Sequence, residues 1–274
     1  KNVKMKKLIH FSIEIVGNNR SKMLMFTEEN NKMENIKPTP KQINFDAIRS
    51  GRQIFNNSEV YDAIKSSDNT KFDSLINKNE YDRLLIEVNR TSGEFLEECR
   101  NSDILCRTAA GRISKQASRQ GTKDEDAQLE ICGLVSKNLG ISISNLNNKA
   151  YRPTKNGRII SHEEMKKESI SKDMCWKSFD GRIEGNLKGW IFAKVVFSSG
   201  GHQDNVFEEA DILCNWVLTY MQECSELFVI LIDTNLTEKL NVIKNKYTTT
   251  KNLLIVNHFD FQTYLIDNYY KESI

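Results

Sequence analysis

The stretch from Cys175 to Phe197 constrains the fold more than any other part of the chain. Gly185 and Gly189 bracket Asn186, Leu187 and Lys188, and aromatic and β-branched residues fill the arms on either side, Cys175 to Glu184 and Lys188 to Phe197. Glycines at a turn between two such arms predict a β-hairpin. With the turn centred on Leu187, residues whose numbers sum to 374 face one another, so Asp180 is expected opposite Lys194. Strand alternation then sets Trp176, Ser178, Asp180, Arg182 and Glu184 on one face and Cys175, Phe179 and Ile183 on the other.

The pattern after the hairpin is regular. Phe207, Ala210, Cys214, Val217 and Met221 recur at helical spacing, Phe228 to Ile232 is a short run of buried-strand type, a polar helix follows, then a strand Leu253 to Val256 and a helix around Gln262 to Tyr269. Hairpin, helix, strand, helix, strand, helix implies an α/β fold with a mixed sheet flanked by helices. Upstream, Leu129, Cys132, Leu134, Val135 and Leu139 mark another helix, with Gly140 placed to stop it, and a polar connection runs through Pro153, Asn156 and Gly157. Residues 41 to 120 read as a helical subdomain, for example Tyr81, Leu84, Leu85 and Val88, then Phe95 and Leu96. Residues 1 to 40, rich in Lys, Asn and Met and ending at Pro38 and Pro40, read as an appendage, which leaves 121 to 274 as the core.

Charge excludes little. Thirty-nine basic against 37 acidic side chains leave a net charge of +2, so any case for a polyanionic partner must be local. Six cysteines form no CxxC pair and no zinc spacing with the four histidines, as expected of reduced thiols in a cytoplasmic protein. The apolar stretch Leu8 to Ile15 is interrupted by His10 and Glu14 and has no small-residue cleavage site, so it is not read as a secretory signal. No apolar run is long enough to cross a bilayer. Nucleophile elbow, phosphate-binding loop and dinucleotide fingerprint are all missing.

An Asp opposite a Lys is a functional pairing as well as a structural one. Hydrolysis of a phosphodiester calls for hard oxygen ligands to Mg²⁺ and a nearby cation for the developing charge. Ser178-Phe179-Asp180-Gly181 followed by Trp190-Ile191-Phe192-Ala193-Lys194 resembles the PD-(D/E)XK nuclease pattern, in which an Asp opens one strand and a Glu-x-Lys lies on the next. Two positions depart from it: Phe179 stands for the proline and Phe192 for the acid.

Some type II restriction endonucleases of that superfamily carry the acid on the following helix instead, and Glu208, fourteen residues past Lys194, resembles that variant. The resemblance covers roughly residues 119 to 257. It implies a restriction-endonuclease-like core, Asp180 and Glu208 as Mg²⁺ ligands, Lys194 at the attacking water or the phosphate, and Glu125 as an added carboxylate from an earlier helix. Glu184 is the reserve ligand. It further implies base reading by the segment after the lysine, here Ser198, Ser199, His202, Gln203, Asp204 and Asn205. Arg112, Lys115 and Arg119 read as a one-sided helical stripe for phosphate contacts, and Arg152, Lys155 and Arg158 as a looser basic group.

The expected activity is Mg²⁺-dependent, sequence-specific cleavage of double-stranded DNA by a homodimer or higher homo-oligomer, because two-fold DNA sites favour dimers. Two alternatives stay open: a sequence-specific DNA-binding module without cleavage, and a structure-specific repair or viral nuclease. Each residue also has a plainer role. Asp180 beside Gly181 fits a turn, an Asp-Lys pair fits a surface salt bridge, and Asn205 to Glu208 and Thr122 to Glu125 both have capping-box spacing.

Overall fold

Among the described residues, helices come first. The computed structural model describes residues 37–146, 151–197 and 201–271, and gives the backbone alone for Arg119 and residues 201–204. The expected appendage thus falls almost wholly outside the described residues. Five helices follow: α1 (Phe45–Lys65), α2 (Asn69–Leu75), α3 (Lys78–Val88), α4 (Ser92–Asn101) and α5 (Asp103–Ile113). Asn44, Asp68, Asn77, Thr91 and Ser102 start them in turn, each side chain accepting a backbone N–H that the helix itself leaves unpaired. Val60, Ile64, Phe72, Tyr81, Phe95 and Ile113 close a core of their own among these helices.

The remaining elements are α6 (Gly121–Ser136), β1 (Ile141–Asn145), β2 (Tyr151–Pro153), β3 (Ile159–Ser161), α7 (His162–Lys167), β4 (Gly181–Gly185), β5 (Gly189–Val196), α8 (Gly201–Tyr220), β6 (Leu227–Thr234), α9 (Thr237–Lys246), β7 (Leu253–Val256) and α10 (His258–Tyr269). They build a mixed five-stranded sheet in the order β1-β4-β5-β6-β7. The first three strands are antiparallel, while β5, β6 and β7 run parallel. Parallel neighbours need crossovers, which α8 and α9 supply. Alternation sends Trp190, Phe192 and Val196 into a core with α8 and α9, and Ile191 and Ala193 into a second core with α6 and α10. The chain is therefore α/β, with helices on both faces of a mixed sheet. Residues 39–270 form one unit. Among the described residues no helix is long and apolar enough to cross a membrane.

Three details correct the sequence reading. The β4–β5 register pairs Gly181 with Ile191, Arg182 with Trp190 and Ile183 with Gly189, two residues off the expected one. Continued by one step, it sets Asp180 level with Phe192 and not Lys194. The shift follows from Gly185, whose φ of +100° turns the chain one residue early; a Cβ there would run into the Gly140 carbonyl oxygen.

The first arm is also shorter than expected, since residues 176–180 lie outside any strand. Phe179 and Ile183 consequently fall in opposite cores. Finally, the supposed polar connection contains the small two-stranded sheet β2-β3.

Candidate active site

Asp180 sits where β4 leaves β5. Its backbone N–H still donates to Ile191 O at 2.8 Å, but the preceding Phe179 N–H has already turned to Tyr151 O at 3.1 Å. The next β5 donor, Ala193 N–H, is met by the Asp180 side chain, at 2.9 Å to Oδ2. A carboxylate therefore takes the place of a strand at this point. Beyond it, among the described residues, no strand pairs with β5 from Phe192 to Val196 on the side where β4 would have continued, which leaves an open edge.

Lys194 folds back over that edge. Its Nζ donates to Ala193 O at 2.6 Å, to Asp180 Oδ2 at 3.2 Å and to Glu125 Oε1 at 2.8 Å, and lies 4.8 Å from the centre of the Phe192 ring. Glu125 comes from the first turns of α6, which also aims the acids beside it. Asp124 points into the protein at Arg49 and Arg52, and Asp126 takes a bond from Asn145. Successive helix positions are turned by about 100°, so three consecutive acids serve three directions. Because α6 starts at Gly121 without a side-chain cap, Thr122 and Glu125 form no capping box.

Burial sets the electrostatics. It pushes the Asp180 and Glu125 carboxyls above the usual carboxylate range, with Lys194 pulling against it in both cases. For Lys194 burial alone would lower the ammonium, but the two carboxylates outweigh it and hold it above its ordinary value. Two acids and one ammonium leave the group one negative charge in excess. Asp180 Oδ1 and Glu125 Oε2 accept no hydrogen bond from a described residue. Neither is sealed from solvent. This is a donor set that fits Mg²⁺, which is held by one or two carboxylates and completes its shell with water or phosphate. Among the described residues no three His, Cys, Asp or Glu side chains gather into a larger set.

None of the other expected site residues whose side chains are described bonds to this group. Glu208 is exposed on α8 and bonds to no described residue; its neighbour Glu209 pairs with Lys177 at 3.3 Å. Because α8 begins at Gly201, Asn205 and Glu208 lie inside the helix and not at its cap. Glu184 is exposed on β4, opposite Ser142.

Ser198 and Ser199 lie outside the described residues. His202, Gln203 and Asp204 belong to the first turns of α8, not to a loop, and Asn205 is exposed on that helix. The basic stripe is not one helix face either. Arg112 lies in the last turn of α5, Ser114 caps it, Lys115 follows in the connection and Arg119 lies in a separate 3-10 turn. Arg112 pairs with Glu87 at 2.6 Å and Lys115 donates to Ser74 O.

Sequence reading missed one buried polar group. Asp233 at the end of β6 accepts from Gln128 Nε2 at 2.5 Å and faces His258 Nδ1 at 2.7 Å. His258 Nε2 in turn accepts from Ile43 N–H at 3.0 Å, and Gln128 Nε2 reaches Lys194 O at 3.2 Å. The signal was an acid near the end of one parallel strand, β6, and a histidine two residues past the end of the next, β7. The chain was compared with protein-family models, curated proteins and solved structures, and none matched it.

Proposed function

We propose that the chain is a Mg²⁺-dependent endonuclease with a restriction-endonuclease-like core, cutting double-stranded DNA at specific sites as a homodimer. One observation carries the reading: Lys194 Nζ bridges Asp180, where one strand opens, and Glu125, from an earlier helix. These are the elements the nuclease pattern draws on, met here in space and not only in sequence order.

Asp180 and Glu125 would hold Mg²⁺ through the oxygens they keep open. Bound there, the ion would polarise a phosphate and ease deprotonation of a water. Lys194 is anchored at three points, which use all three of its N–H donors, so its ammonium is held in place to offer its positive charge to an oxyanion in front of the carboxylates. Asp180 is fixed by Ala193 N–H, which spends one oxygen on position and leaves the other for the ion. Glu125 takes the second-acid role that the sequence reading assigned to Glu208.

The test is incubation of unmodified plasmid and genomic DNA with Mg²⁺, in parallel with Lys194→Ala. Discrete fragments from the parent and none from the variant support the reading; equal cutting by both overturns it. A second reading is favoured by Phe192, buried with its ring under the Lys194 ammonium where the pattern has an acid. That reading is a DNA-binding module without cleavage. It predicts a gel shift and no fragments at any Mg²⁺ concentration.

A further inference from the structure

A cleft of ≈ 270 Å³ opens along the segment that leads into Asp180. Arg152 from β2, Lys172, Trp176 and Lys177 from the segment before β4, and Ile212 and Leu213 from α8 line it. The floor is apolar and the rim cationic. Arg152 Nη1 donates to Trp176 O at 3.2 Å, which fixes the guanidinium at the mouth, and Lys155 Nζ stands 4.9 Å from the indole centre. Three cations line the cleft against one carboxylate, Glu209, which pairs with Lys177 at 3.3 Å.

The loose basic group of the sequence is thereby resorted. Arg158 leaves it for Glu168, through two bonds of 2.7 and 2.8 Å, and Arg152 and Lys155 join Lys172 and Lys177 instead.

Positive charge around an apolar floor matches a nucleotide, whose phosphate is anionic and whose base and sugar present apolar faces. Lys177 precedes Asp180 by three residues, a span of at most about 10 Å of chain. With a rise of ~3.4 Å per nucleotide along one strand, that span covers at most about three nucleotides.

We infer that this cleft holds a nucleotide of the DNA strand within about three positions of the bond cut, its phosphate on Arg152, Lys172 and Lys177 and its sugar or base against Trp176 and Ile212. The inference rests on the nuclease reading of Asp180, Glu125 and Lys194. It assigns the cleft a job that Arg112, Lys115 and Arg119 were expected to do.

Anisotropy of a labelled duplex, measured without divalent ions over a series of salt concentrations, tests it. Neutralising a phosphate contact lowers the slope of log affinity against log salt by about 0.9. The double variant Lys172→Ala, Lys177→Ala should therefore lose a slope of nearly 2 and bind about tenfold or more weakly at low salt. Lys78→Ala with Arg83→Ala, on exposed α3 positions, should leave the slope unchanged. Ile212→Trp, which fills the floor, should weaken binding at an unaltered slope. Parental slope and affinity in the Lys172, Lys177 variant overturn the phosphate seat, and parental affinity in Ile212→Trp overturns the floor contact. Failure of the parent protein to bind any duplex would instead remove the nuclease reading itself.

Discussion

Arg49 grips Asp124 through Nε and Nη2, at 2.8 and 2.6 Å, one residue before the glutamate that reaches Lys194. Arg52 adds a third bond, at 3.1 Å to Oδ1, and Asp124 is wholly buried. This is how the helical N-terminal part fixes the start of α6, and with it Glu125. A buried ion pair is weak evidence of net stability, but removing one partner strands the other in low dielectric, at a cost of about 3–5 kcal/mol. Asp124→Ala should lower the unfolding free energy by that order, read as a shift in the urea midpoint. A loss under about 1 kcal/mol would mean the arginines reach water without rearrangement.

Cleavage rates separate the two candidate acids. Asp180→Asn, Lys194→Ala and Glu125→Gln should each reduce the rate by about 10²-fold or more, the scale found when one preorganised polar group is removed from a reacting centre. Glu208→Ala should stay within about threefold of the parent, since surface changes rarely perturb more than the local helix. Circular dichroism must match across the set. If Glu208→Ala is dead and Glu125→Gln active, the second acid comes from α8 and the proposed pairing is wrong.

Much of the fold was legible because its elements carry their own periods: the alternating arms around Gly185 and Gly189, the apolar run of β6 and the helical spacing of α8. The meeting of Asp180 and Lys194 was legible too, though for the wrong reason. The two do not face each other across a ladder; Lys194 curls back along an open edge to find Asp180. Register shifted by two because Gly185 adopts a left-handed conformation, which sequence permits but does not demand. Glu125 was read as an added carboxylate, but that it bonds to Lys194 while Glu208 bonds to no described residue was not legible, for a related reason. Both have capping-box spacing, and only the start of each helix decides whether the acid is used as a cap or is free to point at a strand sixty-nine residues away. The polar group of Gln128, Asp233 and His258 depends on contacts 105 and 25 residues apart, which no local pattern encodes.

Acid stability should depend on Glu226. Burial alone would raise its carboxyl, but bonds from Arg182 Nη2 and from Trp190 Nε1, at 2.5 and 2.7 Å, outweigh it and hold the group below its ordinary value. A depressed value in the fold means that the stabilisation is present above the unfolded-chain value of about 4.3 and is lost as pH falls through the lower, folded value. Glu226→Gln should thus be less stable than the parent at pH 7, by on the order of 2 kcal/mol for bonds to a charged acceptor. The difference should shrink below about pH 4. A gap that stays constant down to pH 3 in urea titrations would show that the carboxylate charge plays no part.

Thiol chemistry should divide the cysteines by burial. Burial pushes the Cys99 thiol up to about 11 and the Cys214 thiol up to about 12, and raises Cys106 and Cys132 as well. The thiolate is the nucleophile, so at pH 8 these four should resist iodoacetamide in the native protein. Cys175 and Cys224, which are only partly buried, should be modified first. Peptide mass mapping before and after denaturation reads this directly. Early labelling of Cys132 would mean that the core between α6 and α10 opens far more readily than its packing implies.

His258 ties the chain before α1 to β5, the strand that carries Lys194. Its Nε2 accepts from Ile43 N–H, so the ring proton sits on Nδ1 and donates to Asp233. Asp233 shares its other oxygen with the Gln128 amide, which also holds Lys194 O. His258→Phe keeps an aromatic ring against Phe45 but leaves Ile43 N–H and one Asp233 oxygen without partners. Each orphaned group costs about 1–3 kcal/mol, so a loss of roughly 2–6 kcal/mol is expected. Destabilisation alone would not distinguish this route from poor packing; the decisive measurement is hydrogen exchange at Ile43. Its amide should exchange faster in the variant by more than the change in global stability allows, whereas the amides of β6 should follow the global change. An Ile43 amide that tracks global unfolding would break the link between this histidine and the N-terminal segment.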